Sequence, residues 1–291
     1  MTPTAREFVL TVSCPDTKGI VYAVSGVLFQ GGCNIIDSQQ FGDPASGLFF
    51  LRVHFDAPEH LASVERLQML FESTRAKFEM TARFDDLATR SRLLLMVSRH
   101  GHCLNDLLFR WKSGQLPVDI VAVVSNHTDF QALAESYAVP FEHLPVGPGA
   151  SDRERREQEE RIYEIVLRDS IDLVVLARYM QILSPALCER LRGRAINIHH
   201  SFLPSFKGSH PYRQAFERGV KLIGATAHYV SEDLDGGPII EQEVERVDHT
   251  LDPDELAAIG RDVECVALAR AVRWHCEHRI LLNGDKTVVF R

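Results

Sequence analysis

The sequence predicts a two-domain α/β chain. A ferredoxin-like βαββαβ sandwich is expected over residues 1–85, a linker over 86–92, and a Rossmann-like domain with a mostly parallel sheet over 93–291. Three observations point that way. Before Asp85, apolar runs and helix-spaced segments follow one another in the order of a split βαβ unit. The stretch Asp85-Asp86-Leu87-Ala88-Thr89-Arg90-Ser91 is short and polar, as a linker is. Beyond it, uninterrupted apolar runs such as Leu93–Val97 alternate with helical patterns, as strands buried on both faces of a parallel sheet do.

In the first part, Glu7–Ser13 reads as a strand and Gly19–Gln30 as an apolar-rich helix. Cys33–Phe41 and Leu48–Phe55 follow as strands, joined by the turn formers Asp43-Pro44-Ala45-Ser46-Gly47. Pro58–Arg75 has helical spacing, with Leu61, Val64, Leu67, Leu70 and Phe71 on one face, and Glu79–Phe84 closes the sheet. In the second part, Leu93–Val97, Ile120–Ser125, Leu173–Ala177 and Ala195–His199 read as strands. Helices are expected over Leu104–Lys112, Phe130–Tyr137 and Ser151–Arg168, the last with Ile162, Ile165 and Val166 inward and its charges in solvent. In such a sheet the ligand crevice lies beyond the carboxyl ends of the strands.

Composition excludes several classes. The chain has 291 residues, 45% hydrophobic and 25% charged, which rules out general disorder. No apolar run approaches the roughly 18–20 residues of a membrane span, so no membrane partner is expected. Forty acidic against 32 basic residues give a net charge of -8, which argues against a nonspecific nucleic-acid grip. Met1–Val12 lacks the basic start and apolar core of a secretory signal. Cys14, Cys33, Cys103, Cys188, Cys265 and Cys276 are scattered without a CxxC pair, as expected of free thiols in a cytoplasmic protein.

Chemistry concentrates in three segments. Asn197-Ile198-His199-His200-Ser201-Phe202-Leu203-Pro204 ends an apolar strand; Gly224-Ala225-Thr226-Ala227-His228 and Leu234-Asp235-Gly236-Gly237-Pro238 follow. Residues two apart on a strand share a face, so the Asn197 amide and the His199 imidazole converge on one point. Two donors aimed at one oxygen stabilise a developing oxyanion. Asp235 lies in a Gly-Gly-Pro turn that presents its carboxylate on a loop, which completes the equipment for proton transfer during attack on a carbonyl.

Together these segments resemble the folate-dependent formyltransferase superfamily. In that family an Asn-x-His pair and an Asp in a Leu-Asp-Gly-Gly-Pro-type loop surround the formyl group of 10-formyltetrahydrofolate. Asp172–Ala177 with Met180-Gln181-Ile182-Leu183-Ser184-Pro185 is similar to its strand and folate-binding turn. The resemblance runs from about Leu93 to Trp274. It implies Asn197, His199 and Asp235 as catalytic residues, His228 and His200 in support, and Gln181, Ile182, Leu183, Gly236 and Gly237 at the folate. His228 is expected to be hydrogen-bonded to Asp235.

Two features resemble the deformylase branch of the superfamily, which hydrolyses the formyl group to formate and tetrahydrofolate, feeding purine synthesis and balancing one-carbon pools. The first part is similar to an ACT domain, and Cys14–Val21 to its ligand-binding turn, with Asp16, Gly19 and Ile20 as the regulatory residues. The loop Ser98-Arg99-His100-Gly101-His102-Cys103-Leu104-Asn105 keeps one glycine where ribonucleotide formyltransferases cradle a phosphate on several. His100, His102 and Cys103 are thus expected in an active-site loop. Phe206-Lys207-Gly208-Ser209-His210-Pro211-Tyr212 and Ile223–Val230 resemble the same branch. The resemblance implies no cofactor and no metal; water is the nucleophile and the folate the substrate, with Arg99 or Lys207 at its carboxylate tail. A small amino acid at the ACT turn and a homo-oligomer are further expectations. The alternative is formyl transfer to an amine such as glycinamide ribonucleotide.

Overall fold

The computed structural model describes residues 6–147, 149–203 and 211–291; Pro204 and the segment 206–210, with Lys207, lie outside them. The chain divides into two compact units, Met1–Arg90 with Glu277–Arg291, and Ser91–Cys276. Among the described residues no helix is long and apolar enough to cross a membrane.

The first unit begins β1 (Arg6–Pro15), α1 (Ile20–Gln30), β2 (Asn34–Asp43), β3 (Leu48–Ala57), α2 (Val64–Lys77) and β4 (Thr81–Asp86). The strands form an antiparallel sheet in the order β2-β3-β1-β4, the expected βαββαβ arrangement. Alternation along β1 sends Phe8, Leu10, Val12 and Cys14 to one face, against Ile20, Val24 and Leu28 of α1 and Leu67 and Phe71 of α2. Gly19 supplies the left-handed φ of 93° from which α1 starts. Asp16 and Gly19 are exposed at that turn, whereas Ile20 is core.

The second unit runs β5 (Arg92–Val97), α3 (His102–Lys112), β6 (Asp119–Ser125), α4 (Gln131–Ser136), β7 (Phe141–His143), α5 (Asp152–Arg168) and β8 (Leu173–Leu176). It continues α6 (Pro185–Arg190), β9 (Ala195–His199), α7 (Pro211–Arg218), β10 (Leu222–Tyr229), β11 (Ile239–Arg246) and α8 (Pro253–Cys276). The seven-stranded sheet has the order β11-β10-β9-β8-β5-β6-β7. From β7 to β9 neighbours are parallel; β10 is antiparallel to both its neighbours. The chain moves outward from β5 to β7 and returns at β8 on the other side of β5. That reversal opens a crevice at the carboxyl ends of β5 and β8. α5 starts on a Ser151–Glu154 capping box and buries Ile162, Ile165 and Val166, its expected inner face.

The division differs from the expected one at the C-terminus. Residues 277–291, assigned by sequence to the second domain, belong to the first unit, where β12 (Ile280–Asn283) and β13 (Lys286–Val289) form a hairpin. The reason is that β3 buries both its faces. Phe50 packs with Leu281 and Phe290, and the buried Arg52 donates from Nε to His278 O (3.1 Å) and from Nη2 to Glu277 O (3.0 Å). Arg52→Ala is expected to destabilise this unit by about 3 kcal/mol, because two partly buried carbonyls lose a charged donor and a cavity opens. Urea denaturation reads the loss, and limited proteolysis should cut within 277–291 first; wild-type stability and resistance would contradict the clamp.

Candidate active site

Strand register assembles the polar residues. Across the β9–β10 pair, His199 faces Thr226 and Asn197 faces His228. Opposed residues share a face, so Asn197, His199 and His228 meet at the carboxyl end of β9. His228 Nδ1 lies 2.9 Å from the Tyr229 carbonyl, which as an acceptor requires the proton on Nδ1. Its Nε2 lies 3.2 Å from Asn197 Nδ2.

Asp235 arrives on the loop between β10 and β11. Its φ is 54°, a left-handed conformation unusual outside glycine and a cost of about 1–3 kcal/mol. Gly237 permits the close pass, since a Cβ there would sit 1.8 Å from the Tyr229 carbonyl oxygen. Asp235 Oδ2 lies 3.1 Å from His199 Nδ1, and Oδ1 lies 3.7 Å from His228 Nε2. The second distance is longer than an ordinary hydrogen bond, so the expected partner Asp235 is an ion-pair contact of His228 and the Asn197 amide is the nearer one. Burial alone would raise the Asp235 carboxyl, but the bond from His199 and the proximity of His228 hold it well below the usual carboxylate range. His199 Nε2 is buried and has no hydrogen-bond partner among the described residues.

These groups border a cavity of about 270 Å³. Its other walls are Arg178–Leu183 after β8 and the 230–235 loop. Ser98, at the end of β5, fixes the first wall: its Oγ donates to Asn126 Oδ1 (2.7 Å) and accepts from Met180 N (2.9 Å). Gln181, Ile182 and Leu183 line the cavity as expected, with Ile182 69% exposed at its rim, an apolar surface open to a ligand. Gly236 and Gly237 shape the Asp235 loop and are not among the residues lining the cavity. His200 lines it, and burial pushes its imidazole down to about 4, with the Arg178 charge helping.

The loop after β5 is placed differently from expectation. His100 is exposed, Cys103 is buried in α3, and His102 donates toward Glu264; none of the three lines the cavity. A bond with Cys265 and burial raise the Cys103 thiol well above its ordinary value, the opposite of an activated nucleophile. Arg99 is exposed and also outside the lining.

Sequence reasoning missed the centre of this second layer. Glu264 on α8 has a side chain 1% exposed and is met by His102 Nε2 (2.7 Å), Tyr212 Oη (2.6 Å) and Arg178 Nε (3.4 Å). Burial opposes its charge, but His102, Arg178 and Tyr212 together lower the carboxyl below its ordinary value. The available signal was an acid on the apolar stripe of α8, among Leu256, Gly260, Val263, Ala267 and Leu268. His102, Cys103 and Glu264 also bring their ligand atoms within 4.8 Å of one another. The Arg178 charge beside that carboxylate opposes a bound cation, so the trio fits an ion-pair network better than a metal centre.

With this geometry in place, the likeness to known proteins is specific. The formyl transferase family profile matches residues 91–272. The formyltetrahydrofolate deformylase of Corynebacterium sp. (strain P-1) is 48% identical over 97% of this chain and 98% of its own length. The crystal structure of formyltetrahydrofolate deformylase from Burkholderia mallei ATCC 23344 superposes with a TM-score of 0.92, at 51% identity, over 98% of this chain and 100% of that one. Glycinamide ribonucleotide transformylase 1 from Symbiobacterium toebii is more distant, with a TM-score of 0.65 and 26% identity over 71% of this chain and 97% of that one. The chain belongs to the formyl transferases and, within them, to the formyltetrahydrofolate deformylase family.

The neutral His200 carries a pH prediction. Its folded value of about 4 lies below the ordinary 6.5, so below pH about 6.5 the unfolded chain takes up a proton that the folded one refuses. Stability contributed by this site should therefore fall as pH drops toward 4 and level off below, by up to roughly 3 kcal/mol. Urea denaturation across that range should show a shallower fall for His200→Gln than for the parent. Equal slopes would place the ring in solvent-like surroundings.

Proposed function

We propose that this chain hydrolyses 10-formyltetrahydrofolate to formate and tetrahydrofolate through Asn197, His199 and Asp235. The observation that carries the assignment is the His199 ring, tied to Asp235 through Nδ1 while Nε2 stands buried beside the cavity with no partner among the described residues. Asp235 Oδ2 holds that ring through Nδ1, and in the doubly protonated imidazole Nε2–H with the Asn197 amide receives the formyl oxygen as it becomes an oxyanion. The other carboxylate oxygen orients the attacking water and takes its proton. Because the carboxyl is held well below its usual range, the proton moves on to N10 as the C–N bond breaks. One C–O bond forms, one C–N bond breaks, and no electrons change hands. No cofactor enters these steps.

His228 orients the Asn197 amide, and the neutral His200 supplies an uncharged wall. Ile182, Leu183 and Gln181 form the folate rim, while Gly236 and Gly237 hold the Asp235 loop. Asn197→Ala is expected to lower kcat by ~10²–10³ and Asp235→Asn by ~10²–10⁴, measured as formate release without any acceptor. Near-parental rates for Asp235→Asn would overturn the assignment; turnover only after adding glycinamide ribonucleotide would favour transfer instead.

The first unit serves regulation or assembly. The exposed Asp16 and Gly19 at the start of α1 offer a small amino acid a carboxylate and open backbone, and the ten-residue edge strand β2 offers a second copy a pairing edge. Glycine or methionine should then change the rate of formate release, and light scattering should give a homo-oligomer. A monomer indifferent to both amino acids would refute this part.

A further inference from the structure

One fold carries a hydrolase and a transferase among the solved structures above, so the choice of formyl acceptor rests on side chains rather than on the sheet. Both reactions break the same C–N10 bond and return a proton to N10. Hydrolysis forms a C–O bond to water; transfer forms a C–N bond to an amine. Access to the formyl carbon is what distinguishes them.

Beside His199 the cavity is bounded by His200 and Arg178, and behind these lies a second layer that does not line it. The His200 ring is centred 5.0 Å from that of His199 and 6.5 Å from that of Tyr212. Arg178 reaches Glu264, and Glu264 also holds Tyr212 and His102. Three separate chain segments, the start of α3, the turn after β8 and α7, are thus tied to one buried carboxylate on α8. The packing is tight: Gly260 lies under the Tyr212 ring, where a Cβ would approach to 2.2 Å. Arg178 is held at a left-handed φ of 67°.

We propose that Glu264 is a positioning residue which, through Arg178, Tyr212 and His102, keeps this wall closed beside His199 and so restricts the formyl acceptor to water. This deepens the hydrolytic function proposed above and rests on it. A buried carboxylate with two hydrogen-bond partners and an arginine charge beside it makes a rigid network, since each partner lost leaves charge unpaired. Rigid walls discriminate by size, by about 10–200-fold for a single methylene in a packed pocket. An amine acceptor must carry at least a substituent that water lacks, and the wall removes its room.

The test uses the full chain with 10-formyltetrahydrofolate and either methoxyamine or glycinamide, after subtraction of the enzyme-free reaction. Formate and formylated amine are measured together. The parent protein should release formate whichever amine is present. Tyr212→Ala and Glu264→Gln should raise the amine-to-water product ratio by about 10–100-fold while the KM for the folate changes little. Tyr212→Phe, which retains the ring over Gly260, should keep the parent ratio; a merely structural role would not separate these variants by product. A parent protein that formylates glycinamide as readily as it releases formate would overturn the proposal without any variant. So would folded variants that keep the parental ratio. Failure of the parent to release formate at all would instead remove the hydrolytic function beneath it.

Discussion

The antiparallel pairing of β10 with β9 is the constraint on which the site rests. A slip of one residue would turn His228 to the other face of the sheet and leave the Asn197 amide without its partner. Ile198 and Ala227, opposed and buried on the reverse face, hold the register by packing. Thr226 holds it by hydrogen bonds: its Oγ1 donates to Ser201 O (2.9 Å) and accepts from Leu203 N (3.1 Å) and Gln242 Nε2 (3.1 Å). The same threonine therefore fixes where the chain leaves β9 after His199. A register shift between β10 and β11 at Ala227/His228 bends the strand beside the site, as bulges near active sites do.

Two carboxylates, Asp235 partly buried and Glu264 fully buried, divide the electrostatic work. Asp235 is compensated by imidazoles and stands at the cavity edge, where its charge can act on a substrate. Glu264 is compensated by two hydrogen bonds and the Arg178 charge and stands outside the cavity, where its charge fixes structure. Removing one partner from such a pair typically costs 3–5 kcal/mol, so both are sensitive points of the fold as well as of the chemistry. The net charge of -8 describes neither neighbourhood, since each anion is matched locally.

The parallel half of the sheet was legible because β5, β6 and β8 are buried on both faces and read as unbroken apolar runs. Strand periodicity put Asn197 and His199 on one face and a Gly-Gly-Pro turn put Asp235 on a loop, but only the resemblance to the formyltransferase superfamily singled out the three together. β10 was hidden by small residues: Gly224 lies where a Cβ would sit 2.6 Å from the Glu243 carbonyl, so close strand approach replaced the usual β-branched signal, while β11 is masked by its charged and polar residues. The hairpin at 277–291 was hidden differently. Its partner surface is Phe50 and Arg52, more than two hundred residues earlier, and no local pattern reports a contact of that separation. The second contact of His228, with Asn197, also escaped, because a partner at Asn197 or at Asp235 requires the same residue type.

α7 and α8, which carry the acceptor wall, show its stability cost plainly. A glycine in the middle of α8 costs about 1 kcal/mol relative to alanine. A carboxylate on its buried stripe costs more unless every donor is in place. Neither residue is needed to fill space: an alanine at 260 and a leucine at 264 would suit the helix better were Tyr212, His102 and Arg178 not there. Local propensity and global packing disagree at both positions, and such disagreement in a folded chain marks sites shaped for function. Gly260 makes room for the Tyr212 ring and Glu264 receives its hydroxyl, one helical turn apart. The stability sacrificed on α8 thus converges on the side chains packed behind His200 and Arg178, the layer that decides what reaches the formyl carbon.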